Sequence, residues 1–371
     1  MKLSTNHFFN DFEKNYFSVS IAWKCMNSKN KHNIVKRLFG YFLVFILLFA
    51  LSFISSSQDV HFTLFNNAPL LLNPANTGNF DGNWRITGNY RDQWRALSDK
   101  NTFTTASFSF DGHFYILNQK LAAGIYFIND RSGSRELISN KLYLSVSYEK
   151  LLSKNLFRFG LQTGYVFRSF GSGGYTLPSD WNIDEGSFVS EGNPIEKSGY
   201  LDINIGALWK TSINKLEPEV GISLAHCNFP NESFYKDSVG RLPIRSIIHG
   251  KVKARINDKI YLRPTLVYVA RRSATEFVFG SDVGFNVFDK HSALKEILVG
   301  VYFRDGLFKN SDAVSLMGGA RIGRIDISIC YDYNISRLKV ATGNKGGIEI
   351  SFAYRSISTV LNSYSIPCER F

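Results

Sequence analysis

From residue 83 onward, apolar and polar positions alternate with a period of two. "LFRFGLQTGYVFR" sets Phe157, Phe159, Leu161 and Tyr165 against Arg158, Gly160, Gln162 and Gly164. "YLDINIGALWK" sets Ile203, Ile205 and Trp209 against Asp202, Asn204 and Lys210, and "RIDISICYDY" sets Ile325, Ile327, Ile329 and Tyr331 against Asp326, Ser328 and Asp332. Successive side chains on a strand point to opposite faces, so each segment carries one apolar and one polar face. Such segments recur near 83–95, 101–112, 119–128, 137–150, 155–169, 199–210, 217–228, 243–256, 259–272, 275–288, 294–305, 312–321, 323–333 and 345–356. Many are long enough for a tilted strand to cross a bilayer, and their even number suits a closed antiparallel barrel. Hairpins join them, except across Gly171–Ser198.

A soluble sandwich would bury the apolar faces. An outer-membrane barrel turns them to lipid and keeps the polar faces in the lumen. Aromatic residues make up 15% of the chain and gather near strand ends, as interfacial girdles do. A soluble domain of this length tends to split into two cores, and no linker interrupts the strands. The pattern therefore predicts an all-β, antiparallel outer-membrane β-barrel of about 14 strands, spanning residues 83–371 with its C-terminal tail. The lipid of that membrane is its first partner.

Residues 1–57 read as an N-terminal extension and signal peptide. "KNKHNIVKR" is a basic stretch, Leu38–Ile54 an apolar core, and Ser55–Ser57 a small-residue cleavage site that makes Gln58 the new terminus. Met26 gives a leader of ordinary length and is the expected true start. The net charge is +12; seven basic and two acidic residues in 1–57 leave +7 for the rest. That surplus is dispersed among strands and turns, which argues against a nucleic-acid surface. Beyond the leader, Cys227, Cys330 and Cys368 permit at most one disulfide and match no metal-ligand spacing.

Residues 58–82 stand apart as a plug segment. "APLLLNPANTG" runs apolar residues through Leu72 into Asn73, Pro74 and Ala75, and closes at Gly78. Asn73 before Pro74 favours an extended or turn conformation, and Gly78 permits a tight exit. The stretch reads equally as a turn and as a docked plug. "YRDQW" follows. Tyr90 and Trp94 read as girdle aromatics, while Arg91 and Gln93 point inward. Asp92 lies on the opposite face from Arg91, so a neighbouring strand or the plug must supply the arginine's partner.

"LNPANTG", "YRDQW" and "TASFSFDG" (Thr105–Gly112), in that order, resemble the N-terminal signature of the PorP/SprF family. "NFPNESFY", "LPIRSIIHG", "DYNISRLKVATGNKGGIEISFAYR" and the terminal "PCERF" extend the likeness over the whole mature chain. Ala68-Pro69-Leu70 and the Gly171–Ser198 excursion depart from it. The resemblance implies an outer-membrane component of the type IX secretion and gliding machinery of Bacteroidetes. It implies secretion-machinery subunits of the periplasm or outer membrane as partners, and a secreted adhesin-like substrate.

No catalytic constellation accompanies this. His61, His113, His226, His249 and His291 lie in no nucleophile motif, and there is no GxSxG, P-loop or HExxH. "GSGG" at Gly171–Gly174 precedes no helix. The expectation is a non-enzymatic protein without cofactor or metal, supporting export or display of substrate and docking periplasmic partners. The alternative is a passive porin or small hydrophobic-solute transporter.

Overall fold

The computed structural model describes residues 62–93, 95, 103–117, 119–132, 137–170, 181–182, 187–188, 197–234, 240–272, 274–287, 292–306, 311–337 and 339–357. The leader with Met26 and the Ser55–Ser57 site lies outside them, as do His61, Trp94, Gly171–Gly174, His291 and "PCERF".

Each of the alternating segments forms a strand. These are β1 (Trp84–Gln93), β2 (Phe103–Ile116), β3 (Gln119–Ser132), β4 (Leu137–Leu152), β5 (Asn155–Ser169), β8 (Lys197–Thr211) and β9 (Leu216–Ala225). The series continues with β10 (Arg245–Arg255), β11 (Ile260–Arg271), β12 (Ala274–Asn286), β13 (Leu294–Asp305), β14 (Ser311–Ile322), β15 (Ile325–Asn334) and β16 (Lys345–Arg355). Two-residue strands β6 (Trp181–Asn182) and β7 (Ser187–Phe188) pair only with each other, inside the long excursion. The fourteen long strands pair antiparallel in one closed barrel, sealed where β1 meets β16 from Arg85↔Arg355 to Gln93↔Gly347. Closure leaves no edge of unpaired backbone, which a bilayer would not tolerate.

Burial decides between sandwich and barrel. Leu144, Leu161, Ile205, Ile222, Val299, Ile329 and Ile350 are exposed on the outer face. Asp111, Ser145, Asp202, Asp282, Ser315 and Glu349 are buried inside. A protein that is apolar outside and polar inside is stable only when lipid covers the outside. On β8, Ile205 faces out, whereas Asp202 and Asn204 face in, as the alternation predicts. Asn204 is nevertheless packed rather than wetted: its amide donates to Gln162 and accepts from the His226 backbone.

Loop lengths orient the barrel. The β2–β3, β4–β5, β8–β9, β10–β11 and β14–β15 connections are tight turns, and β1 begins and β16 ends on that same rim. The ends of β5 and β8 that bound the long excursion, and those of β9 and β10 that bound the next long connection, lie at the opposite rim. Bacterial barrels keep short turns in the periplasm and long loops outside, so the turn-bearing rim is periplasmic. Trp84 marks it, with ring centroids 6.1 Å from Phe110 and 5.2 Å from Tyr354.

β2 and β3 run four residues past their expected ends, to Ile116 and Ser132, whereas regular pairing is cut short at β9 and in the β10–β11 ladder. β9 stops at Ala225 rather than near 228, because His226 takes a left-handed conformation (φ 62°) that breaks the strand. Asn228 then bonds the β8 backbone in place of a strand, accepting from Ile203 N and donating to Leu201 O. In β11, Pro264 lacks an N–H, and the β10–β11 ladder is interrupted opposite Val252 and Lys253. Cys227 and Cys330 are free thiols.

Lipid exposure sets a first test. Ile205→Arg, in the middle of β8, is expected to cost about 2–4 kcal/mol and impair assembly. Ala353→Arg on the inner face of β16, beside open space within the barrel, is expected to assemble normally. Heat-modifiable mobility of outer-membrane fractions measures both; equal tolerance would refute the orientation.

Candidate functional site

The stretch before β1 does not lie on the surface. Phe62–Asn79 runs through the barrel interior, built from short helical turns. Phe65–Asn67 is a 3-10 turn, α1 (Pro69–Leu72) a single α-turn, and Pro74–Asn76 a second 3-10 turn. Proline starts α1 and the second 3-10 turn, where its missing N–H costs nothing. Asn73, between them, is extended (φ −160°, ψ 125°), the conformation a following proline favours. Its Oδ1 accepts the Ala75 N–H at 2.9 Å and so caps the following turn.

The wall is recessed to receive this turn. A Cβ at Gly160 on β5 would lie 2.3 Å from Ala75 N, and one at Gly206 on β8 would lie 1.9 Å from Asn73 Oδ1. At Gly221 on β9 it would lie 2.8 Å from Asn73 Nδ2. These lumen-facing glycines form a groove that admits Asn73-Pro74-Ala75 and, over Gly221, the His249 ring from β10. Within it, Asn73 Nδ2 lies 3.0 Å from Ala207 O, 3.2 Å from Ile222 O and 3.0 Å from His249 Nε2. Gly78 ends the stretch with φ 72°, and a Cβ there would sit 2.4 Å from Ala122 Cβ.

Polar side chains from the wall then bind the plug's backbone, which has no ladder of its own. Asp111 accepts Gly78 N at 2.7 Å and forms a two-point bridge with Arg85. Arg158 donates to Gly78 O at 2.8 Å, Ser147 to Thr77 O at 2.7 Å, and Ser223 to Leu72 O at 2.9 Å. Near the other end, Glu349 accepts both Thr63 N and Leu64 N at 2.8 Å. Each bond satisfies a backbone group that burial would otherwise leave unpaired.

Arg91 sits at the centre of a charged knot. Its Nη2 lies 2.8 Å from Asp332 on β15, and its Nη1 lies 2.9 Å from Glu349 on β16. Nη1 also donates to Thr63 Oγ1 at 2.7 Å. Arg304 on β13 reaches the same Thr63 hydroxyl at 2.7 Å and Asp332 at 3.0 Å. Neighbouring strands and the plug together supply the partners Arg91 requires. Arg304 Nε also bonds Asp312 at 2.5 Å, and Arg91, Arg304, Asp332 and Glu349 are all buried.

Of the sequence's candidates, Leu72, Asn73, Pro74, Ala75 and Gly78 lie in the lumen, and Arg91 holds the same plug at Thr63. Tyr90 points outward and is exposed. Gln93 ends β1, and Trp94 lies outside the described residues. Asn73, Pro74 and Ala75 are buried against the wall, so in this arrangement they offer no surface to a partner.

Sequence reasoning missed the apolar part of the lumen. Leu64, Phe65 and Leu72 pack with Ile247, Val267, Val278, Leu298, Tyr302 and Met317. Leu70 packs with Tyr126, Ile128, Tyr143, Val166 and Leu242. The signal was present where apolar residues occupy both faces, as at Ile297-Leu298-Val299.

The family model described as type IX secretion system membrane protein PorP/SprF matches residues 54–354. No curated protein matches the chain. Among solved structures, the chain is similar to the toluene transporter TbuX of Ralstonia pickettii, at 10% identity over 78% of this chain and 94% of that one (TM-score 0.42). A FadL homologue of Pseudomonas aeruginosa shares 10% identity over 78% and 94% (TM-score 0.43). The CymD monoaromatic hydrocarbon channel shares 10% over 82% and 95% (TM-score 0.46). Such distant likenesses add nothing to the barrel read directly from strand pairing. With its closed antiparallel barrel placed in the outer membrane, the chain belongs to the PorP/SprF family of type IX secretion system membrane proteins.

Proposed function

We propose that this barrel serves type IX secretion as a plugged, non-enzymatic scaffold. It docks secretion-machinery subunits at its periplasmic rim and supports export or surface display of an adhesin-like substrate. Family membership supplies the secretion context. The observation that carries the scaffold reading is the plug. It is bound by side chains from β1, β2, β4, β5, β9 and β16, more fixation than a passive conduit needs. The organisation that goes with it is a removable leader at 1–57, a plug at 58–82 and the barrel from 83.

Two measurements test this. The purified protein in a planar bilayer is expected to be nearly silent. Steady ion conductance, with normal secretion and reduced small-solute uptake in a strain lacking the protein, would instead establish a porin or transporter. N-terminal sequencing of membrane-extracted protein is expected to begin at or near Gln58. Recovery of mature peptides from residues 26–50 would show an uncleaved anchor.

A further inference from the structure

Between the plug and the periplasmic turns lies a cavity of about 570 Å³. Leu64, Pro69, Leu298 and Met317 are among its lining, beside the polar Asn66 and Asn67 of the plug; the turn residues Lys154 and Ser212 also line it. Ten lysine and arginine side chains line it against five carboxylates. Several of the cations are already matched: Lys120 pairs with Glu149 at 3.1 Å and Lys251 with Glu219 at 3.0 Å. Lys154, Lys210 and Lys253 have no ion-pair partner among the described residues. Lys253 instead stands 4.3 Å above the Tyr261 ring. The bowl thus carries a surplus of positive charge inside a low-dielectric wall, where field lines are focused.

From this we infer that the periplasmic bowl is the docking site for an acidic, extended peptide segment of a periplasmic protein, seated with an apolar side chain against the apolar residues of the lining. The inference rests on the scaffold reading above and names the chemistry of its partner. Charge complementarity selects an acidic occupant. The distribution of the charge selects a chain over a small anion. Lys210 on β8 and Lys253 on β10 are two strand spacings apart, on the order of 10 Å, and Lys154 lies on the neighbouring β4–β5 turn. One phosphate-sized anion cannot serve all three, whereas carboxylates spaced along a chain can. The apolar side chains in the lining, Leu64, Pro69, Leu298 and Met317, give such a segment a contact that a free anion cannot use.

The test uses the full-length protein in detergent micelles and a fluorescein-labelled, Asp/Glu-rich peptide carrying one leucine. Binding is expected, weakening as salt rises from low concentration to about 0.5 M. K154E/K210E/K253E is expected to bind roughly tenfold more weakly or worse, because three attractions become repulsions. The Asn/Gln version of the peptide is expected not to bind. Should the triple variant fail to fold, by heat-modifiable mobility, single K154E on the exposed turn and the salt dependence of the wild type carry the test. Equal affinity of folded triple variant and wild type, or displacement of the peptide by inorganic phosphate at similar concentration, would overturn the inference. In cells the two readings separate. Normal secretion by the folded triple variant, with secretion still lost when the plug is loosened, defeats the acidic-segment inference and leaves the scaffold reading standing. Normal secretion in a strain lacking the protein defeats the scaffold reading itself.

Discussion

Replacing Asn73 and Pro74 together with alanine is expected to leave a folded barrel in the outer membrane while secretion of its substrate falls sharply. Neither residue takes part in strand pairing, so the ladders that close the barrel are untouched. What changes is the plug. Asn73 loses its turn cap and its contacts with Ala207 O, Ile222 O and His249. Losing these contacts, with His249 Nε2 left without its partner, costs about 1–3 kcal/mol. Alanine in place of Pro74 also frees the backbone that proline restrains. The plug forms the floor of the periplasmic bowl, so loosening it disturbs the surface proposed for partner docking. Heat-modifiable mobility reports the barrel, substrate release the function, and bilayer conductance the plug. Conductance is expected to rise above the wild-type level. Loss of the barrel band would make the motif purely structural, and unchanged secretion with an open lumen would separate the plug from export.

The second large effect is expected at Arg91. Arg91→Ala removes one of two cations from a knot in which Asp332 and Glu349 stay buried. Breaking a buried ionic network from one side costs about 3–5 kcal/mol, because the remaining charge is stranded. Thr63 loses one bond at the same time, so the far end of the plug is weakened beside the β1–β16 seam, though Arg304 and Glu349 still hold it. Denaturant titration in detergent measures the loss. Arg91→Lys should rescue only in part, since one ammonium cannot reach Asp332, Glu349 and Thr63 as the planar fork does. Adding Glu349→Gln to Arg91→Ala should recover part of the stability by removing the stranded charge. A loss below about 1 kcal/mol, the range of an exposed pair, would show that the knot is solvated.

How much of this was legible in advance differs between wall and plug. The period-two alternation placed every long strand, because each side chain's face follows from its parity alone. It also required a partner for Arg91, since an inward guanidinium cannot remain unpaired. It did not show that Gly160, Gly206 and Gly221 form one groove. Each reads as an ordinary small residue in a polar row, on a strand whose register with its neighbours is set by closure. Nor did it show that Asn73 is buried: "NPANTG" has the composition of a surface turn, and only the wall's backbone acceptors make its burial tolerable.

The sequence by itself determined the strands, their inward and outward faces, and the family, because these depend on local order along the chain. The tertiary structure decided what fills the lumen. Thr63 and Glu349 are 286 residues apart, and nothing local relates them. They meet because barrel closure brings β1 beside β16 and the plug threads the space between the walls. The surplus lysines of the periplasmic bowl follow the same rule: scattered along the chain they look like solvated surface charge, and only closure turns them toward one cavity.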